Sequence, residues 1–172
     1  MGNEDYNIDL PADPLAITLE STHTHLLRAC FYNANSLGIS IQEFSTLRCM
    51  SLCSPFYRPH TTMSDEPGVL LAAVSTPSIP AHLQPTLPQI LFPHHPLLDL
   101  LPFPELRAKA IMLAATAPHI LDTVELKRDI VEKGGLICRH RVGAGVGVQP
   151  WDMRSWEVAP WFYKKWKLLV AT

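Results

Sequence analysis

Eight prolines fall within residues 77–104, at positions 77, 80, 85, 88, 93, 96, 102 and 104. Proline lacks an amide donor and holds φ near −65°, so neither a long helix nor a central strand can run through this stretch. Leu, Ile and Phe stand between the prolines, which a solvated linker would not carry. The segment therefore reads as extended chain laid over a core, its missing N–H groups leaving fewer backbone donors in need of partners. With 16 prolines in 172 residues, about twice the usual share, an uninterrupted helical bundle is excluded.

Helical periodicity returns on both sides of this block. Ser21 reads as the N-cap of a helix to about Leu37, with Leu27, Cys30, Phe31, Ala34 and Leu37 recurring at threes and fours. Gly38 supplies the left-handed position after it. Residues 1–20, with Pro11 and Pro14, read as an irregular lead-in. Ile41, Phe44 and Leu47 mark a second helix over 41–52, broken by the run Cys53–Pro59. Ser64 reads as the cap of a short apolar helix through Val74, with Pro67 in its first turn.

Beyond the prolines, Pro104 starts a helix to about Thr116, with Leu106, Ala110, Leu113 and Ala117 inward. Asp122 and Glu125 have capping-box spacing for a helix to about Lys133, closed by Gly134 and Gly135. Residues 136–149 read as a Gly/Val loop. Pro160 opens a last helix, with Phe162, Trp166 and Leu169 inward and Lys164, Lys165 and Lys167 toward water. No useful length alternates with the period of a strand. The expected fold is all-α: a single domain over residues 21–172, with about five or six short helices and one long Pro-rich extended segment.

A chain 47% hydrophobic and 17% charged has the means to build a core and is not a disordered tail. No apolar run approaches the ~18 residues of a membrane span. The acidic first ten residues lack the basic and apolar regions of a secretory signal, and Tyr6 occupies the position where myristoylation requires Ser or Thr. An intracellular location, cytoplasmic or nuclear, is expected. The net charge of −2 is unevenly spread. Residues 1–103 carry three basic and nine acidic groups, residues 104–172 eleven basic and seven acidic. The later excess, at Arg139, Arg141, Arg154, Lys164, Lys165 and Lys167, is too sparse for a nucleic-acid footprint and reads as a solvated face. Cys30, Cys49, Cys53 and Cys138 contain no CxxC pair and read as buried thiols of a reducing compartment. Cys49 and Cys53 share a helical face but lack two further ligands for zinc, so neither a metal nor a cofactor is expected.

Several groups are candidates for chemistry. Gly143, Gly145 and Gly147 lack phosphate-loop spacing and read as a connector. One of His94 and His95 can form a buried dyad with Asp99, the carboxylate orienting the ring and raising its pKa; alternatively each satisfies backbone groups left open by the prolines. Trp151, Trp156, Trp161 and Trp166 recur every five residues, so they cannot share one helical face. They anchor the core from several sides or line a cavity for a planar ligand. Asp99, Arg107, Asp152, Arg154 and Glu157 lie among Leu, Pro, Phe and Trp, where unpaired charge is costly. Arg107 or Arg154 is therefore expected to pair with one of these carboxylates and tie the Pro-rich segment to the C-terminal segment.

The run from His95 to Arg107, Lys127 to Val131 with Gly134-Gly135-Leu136, and Pro150 to Val158 with Phe162 to Trp166 resemble a fungal domain of unknown function. His25 to Ala34, Ser54 to Tyr57 and Leu87 to Gln89 fit the same resemblance, which covers roughly residues 10–170. That domain commonly forms the C-terminal half of bZIP-type transcription factors. Two departures stand out. No Arg/Lys-rich helix or heptad array occurs here, so major-groove reading of the bZIP kind is not expected. Residues 138–149 replace a short aromatic-bearing stretch of the family.

The resemblance implies a regulatory or effector module that acts through a protein partner or a small hydrophobic molecule, without sequence-specific DNA binding. The alternative is a small cofactor-independent enzyme or ligand-binding protein of fungal secondary metabolism. Under that alternative His95, Asp99 and Glu157 are the acid–base candidates, with His95 the proton-transfer group. Trp151, Trp156, Arg107 and Arg154 are the candidate ligand contacts. A walled pocket favours the second reading, and a solid core with an exposed apolar patch the first.

Overall fold

A computed structural model describes residues 14–39, 54–139 and 149–171, with side chains from residue 22 onward. The expected helix over 41–52, Cys49, Cys53, Arg141 and the glycines 143, 145 and 147 lie outside the described residues. The chain is mostly helical. Helix α1 spans Pro14–Leu37, α2 Pro67–Val74, α3 Leu87–Leu91, α4 Pro104–Thr116, α5 Thr123–Val131, α6 Pro160–Lys165 and α7 Lys167–Val170. Strands β1 (Leu136–Cys138) and β2 (Trp156–Val158) pair antiparallel, Ile137 opposite Glu157. This small sheet corrects the all-α expectation and the reading of residues 136–138 as loop. Strands of three residues are too short to display an alternation.

Most helix boundaries follow local chemistry. Helix α1 begins at Pro14 rather than after Ser21, so residues 14–20 are not irregular. A proline in the first turn sacrifices no intrahelical hydrogen bond. Its C-terminus is as expected: Gly38 has φ of +68°, and the Ile39 amide donates to Ala34 O at 2.9 Å. Helix α2 starts at Pro67, with Glu66 rather than Ser64 at the cap position. Asp122 caps α5, its Oδ1 accepting from the amides of Val124 (2.8 Å) and Glu125 (3.0 Å). Gly134 closes it at φ +65°. Gly135 is required by packing, because a Cβ there would collide with the ring of Phe162. The expected last helix divides at Trp166, while Phe162, Trp166 and Leu169 all face inward.

The Pro-rich block is not simply extended. It folds into 3-10 turns at Ala81–Leu83 and Pro96–Leu100 with α3 between them. Prolines open these turns, since a first-turn position needs no amide donor. The result is a buried spine: Leu83, Ile90, Leu97, Leu98, Leu100 and Leu101 are all in the core. Asn33 on α1 joins it to the C-terminal segment, its amide donating to Leu100 O (2.8 Å) and Pro150 O (3.2 Å). Cys30 and Cys138 are buried thiols between α1 and β1, and burial with the neighbouring Cys138 pushes Cys30 up to about 12.

Candidate functional site

Proline follows both Phe92 and His95, and both residues are held extended. His95 turns to its own backbone: Nδ1 accepts from the Leu97 amide at 3.1 Å and caps the 3-10 turn. That bond fixes Nδ1 as the unprotonated nitrogen. His94 enters the interior instead, and it is His94, not His95, that meets Asp99. Its Nε2 lies 2.8 Å from Asp99 Oδ1, and its Nδ1 donates to Phe92 O at 2.8 Å.

Asp99 is fully buried, and its Oδ1 also accepts from Gln89 Nε2 at 2.6 Å. Gln89 is oriented in turn by Thr86, whose amide and hydroxyl both donate to Oε1 at 2.8 Å. Nδ1 of His94 faces a carbonyl, which only accepts, so that nitrogen carries a proton. Nε2 faces a carboxylate oxygen, so the arrangement holds an imidazolium against a carboxylate. Burial disfavours the His94 charge, but the charge and hydrogen bond of Asp99, with the Phe92 carbonyl, outweigh it and raise the pKa above its ordinary 6.5.

Arg107 on α4 is fully buried beside this pair. It does not take a carboxylate fork. Its guanidinium donates to the carbonyls of Gln84 (2.8 Å) and Asp99 (3.4 Å). Burial, partly offset by the Asp99 charge, brings Arg107 down to about 10, so it stays charged at neutral pH. Arg154 pairs with Asp152, two residues away, at 2.6 Å. The expected arginine–carboxylate tie between segments is therefore replaced by contacts of other groups: Asn33, and His82, whose Nδ1 accepts from the Met153 amide at 3.3 Å.

A cleft of about 520 Å³ opens against this network, between the His94–Leu98 segment, the end of α4 and the start of α5. Leu98, Ile111, Ala114, Leu121 and Leu126 supply an apolar wall, and His94, His95, Asp122 and Lys127 its polar points. Lys127 is buried, which lowers its pKa. The volume lies within the ~300–1,000 Å³ of ordinary ligand sites.

The residues anticipated from sequence divide clearly. His95 lines the cleft, and Asp99 lies behind His94. Glu157 does not converge with them: it lies on the outer face of β2, hydrogen-bonded to Arg139 at 2.7 Å. Nor do tryptophans wall the cleft. Trp156 is buried and donates to Pro150 O at 2.7 Å, Trp166 donates to Asp129 Oδ2 at 3.0 Å, Trp151 is half-buried and Trp161 is exposed. Trp156, Phe162 and Trp166 thus anchor the core, while Trp161 does not. Sequence reasoning missed Gln89 and Lys127. The Thr86–Gln89 spacing, a capping-box pattern, was the one available signal for Gln89.

Among known families, the one described as Domain of unknown function (DUF3425) matches residues 71–172. No curated protein and no solved structure matches the chain. The matched region contains the whole Pro-rich spine from Pro77, the His94–Asp99 pair, Arg107 and the cleft.

Proposed function

This chain belongs to the DUF3425 family, and from that premise we propose that it is a non-catalytic effector module that binds a small, mainly apolar molecule in the cleft beside His94. The observation that carries this reading is the cleft itself: an apolar wall of ligand-site size resting on a fixed polar network. The resemblance to the C-terminal domain of fungal bZIP-type regulators supports a regulatory setting, in which ligand occupancy alters contact with a protein partner. Direct reading of DNA is not part of the proposal, since no basic helix occurs in the sequence.

The enzyme alternative has one point in its favour, the buried imidazole–carboxylate pair at the cleft edge. Its geometry argues for binding instead. Both ring nitrogens of His94 are engaged, one by Phe92 O and one by Asp99, so neither is presented to a substrate. His95 Nδ1 is likewise occupied by the Leu97 amide.

Nile red, a neutral solvatochromic dye, tests the reading. It should bind with a saturable blue shift that Ala115→Trp abolishes, because Ala115 is exposed on α4 and lines the cleft. A blue shift unchanged by that substitution would place the dye elsewhere and remove the proposal. Sequence-selective nanomolar DNA binding at physiological salt would overturn it from the other side.

A further inference from the structure

Helix α4 walls the cleft with one face and a second concavity with another. Ile111, Ala114 and Ala115 line the cleft, while Lys109, Met112 and Leu113 lie on the other side of the helix. There they form, with Lys167, Leu168 and Ala171, a groove of about 620 Å³ between α4 and α7. Lys109 Nζ donates to Ala171 O at 2.6 Å and ties the two walls together. Single exposed apolar side chains are ordinary, but here Met112 (48% exposed) and Leu168 (62%) share one groove. Its polar points among the described residues are two lysines. Lys109 meets a carbonyl, which leaves its charge in place. Lys167 is exposed and has no ion pair among the described residues, whereas Lys165 beside it is held by Glu125 and Asp129.

Such an open surface cannot enclose a small molecule, which needs most of its own area buried. Its walls are helices with no free strand edge, so an added strand has nothing to pair with. We infer that the groove docks an acidic amphipathic helix of a protein partner, its apolar row against Met112, Leu113 and Leu168 and its carboxylates toward Lys109 and Lys167. The flexible Met112 side chain adapts to the shape of that row. The inference goes beyond the cleft-binding reading and does not depend on it, since cleft and groove take different residues of α4.

Fluorescence anisotropy on the full chain tests it with labelled amphipathic peptides about 15 residues long. One is built of Leu, Ala and Glu, and two others carry Gln or Lys in place of Glu. The Glu peptide should bind about fivefold tighter than the Gln peptide, with the Lys peptide weakest, and added salt should erase the order. Leu168→Glu should weaken the Glu peptide about tenfold or more while the saturable Nile red shift of the cleft persists. Lys167→Glu, at an exposed position, should reverse the order of the Glu and Lys peptides, and it gives the answer if Leu168→Glu does not fold. No saturable binding of the Glu peptide, equal binding of all three, or binding unchanged in both variants overturns the inference. A dimer that Leu168→Glu dissociates would assign the groove to a second copy of this chain instead. Binding to phosphatidylserine vesicles that Leu168→Glu abolishes and the Glu peptide leaves undiminished would assign it to a membrane. Loss of the Nile red shift in the unsubstituted chain would remove the cleft-binding reading and leave this one standing.

Discussion

Asp99 and Asp129 are both fully buried carboxylates, yet they draw their partners in opposite ways. Asp129, on α5, draws its partners from the surface: Lys133 Nζ at 2.8 Å, Lys165 Nζ at 2.6 Å and the Trp166 indole at 3.0 Å. Both lysines are well exposed, so water still solvates much of the cationic charge. Asp99, in the Pro-rich spine, has His94, Gln89 and Arg107 about it, all buried. The first arrangement staples α6 onto α5 and asks little of the core. The second confines two cations and one anion in the interior, beside a cleft. The pair shows that burial of a carboxylate does not by itself mark a site; the solvation of its partners does.

Removing the inner carboxylate should produce the largest effect. Asp99→Ala leaves His94 and Arg107 without their counter-charge, and breaking a buried pair this way costs about 3–5 kcal/mol. Urea unfolding checks it, and a loss below about 1 kcal/mol would mean that water reaches the pair. Trp166→Phe probes the outer site, deleting the indole donor to Asp129 while keeping most of the ring. A loss of about 1–2 kcal/mol is expected, since one hydrogen bond to a charged group disappears while two lysines remain. A cost equal to that of Asp99→Ala would erase the distinction between the two sites.

Acidity separates them further. The His94 pKa is raised above 6.5 by Asp99, so its stabilising contribution is complete below 6.5 and fades as pH rises through the folded value. For Asp129, burial works against ionisation, but hydrogen bonds from Lys133, Lys165 and Trp166 hold its pKa below 3.8. Its contribution is therefore present above 3.8 and is lost as pH falls through the folded value. Stability measured against pH should show an alkaline-side decline that disappears in His94→Gln and an acid-side decline that shrinks in Asp129→Asn. A decline in the wrong limb for either variant would reverse the assignment. The smallest effect belongs to Glu157→Gln, which removes an exposed pair with Arg139 and should leave the melting temperature unchanged.

The sequence alone determined several helix ends and the inward residues near them. Pro104 opening α4, Asp122 capping α5, Gly38 and Gly134 at positive φ, and Phe162, Trp166 and Leu169 facing inward all follow from chemistry within a few residues. Pro67, Pro104 and Pro160 were legible as helix starters, but Pro14, Pro88 and Pro96 also opened helical elements where irregular or extended chain was expected. The sheet depended on segments about twenty residues apart meeting across the core, which no local pattern announces. The site was half visible: an imidazole beside Asp99 followed from the composition of the segment, but the choice between His94 and His95 did not. Both rings reach the same cleft, and only the tertiary placement of Gln89 and Asp99 beside His94 decides which imidazole meets the carboxylate. Glu157 fell outside because alternation along β2 put Trp156 into the core and its neighbour toward water.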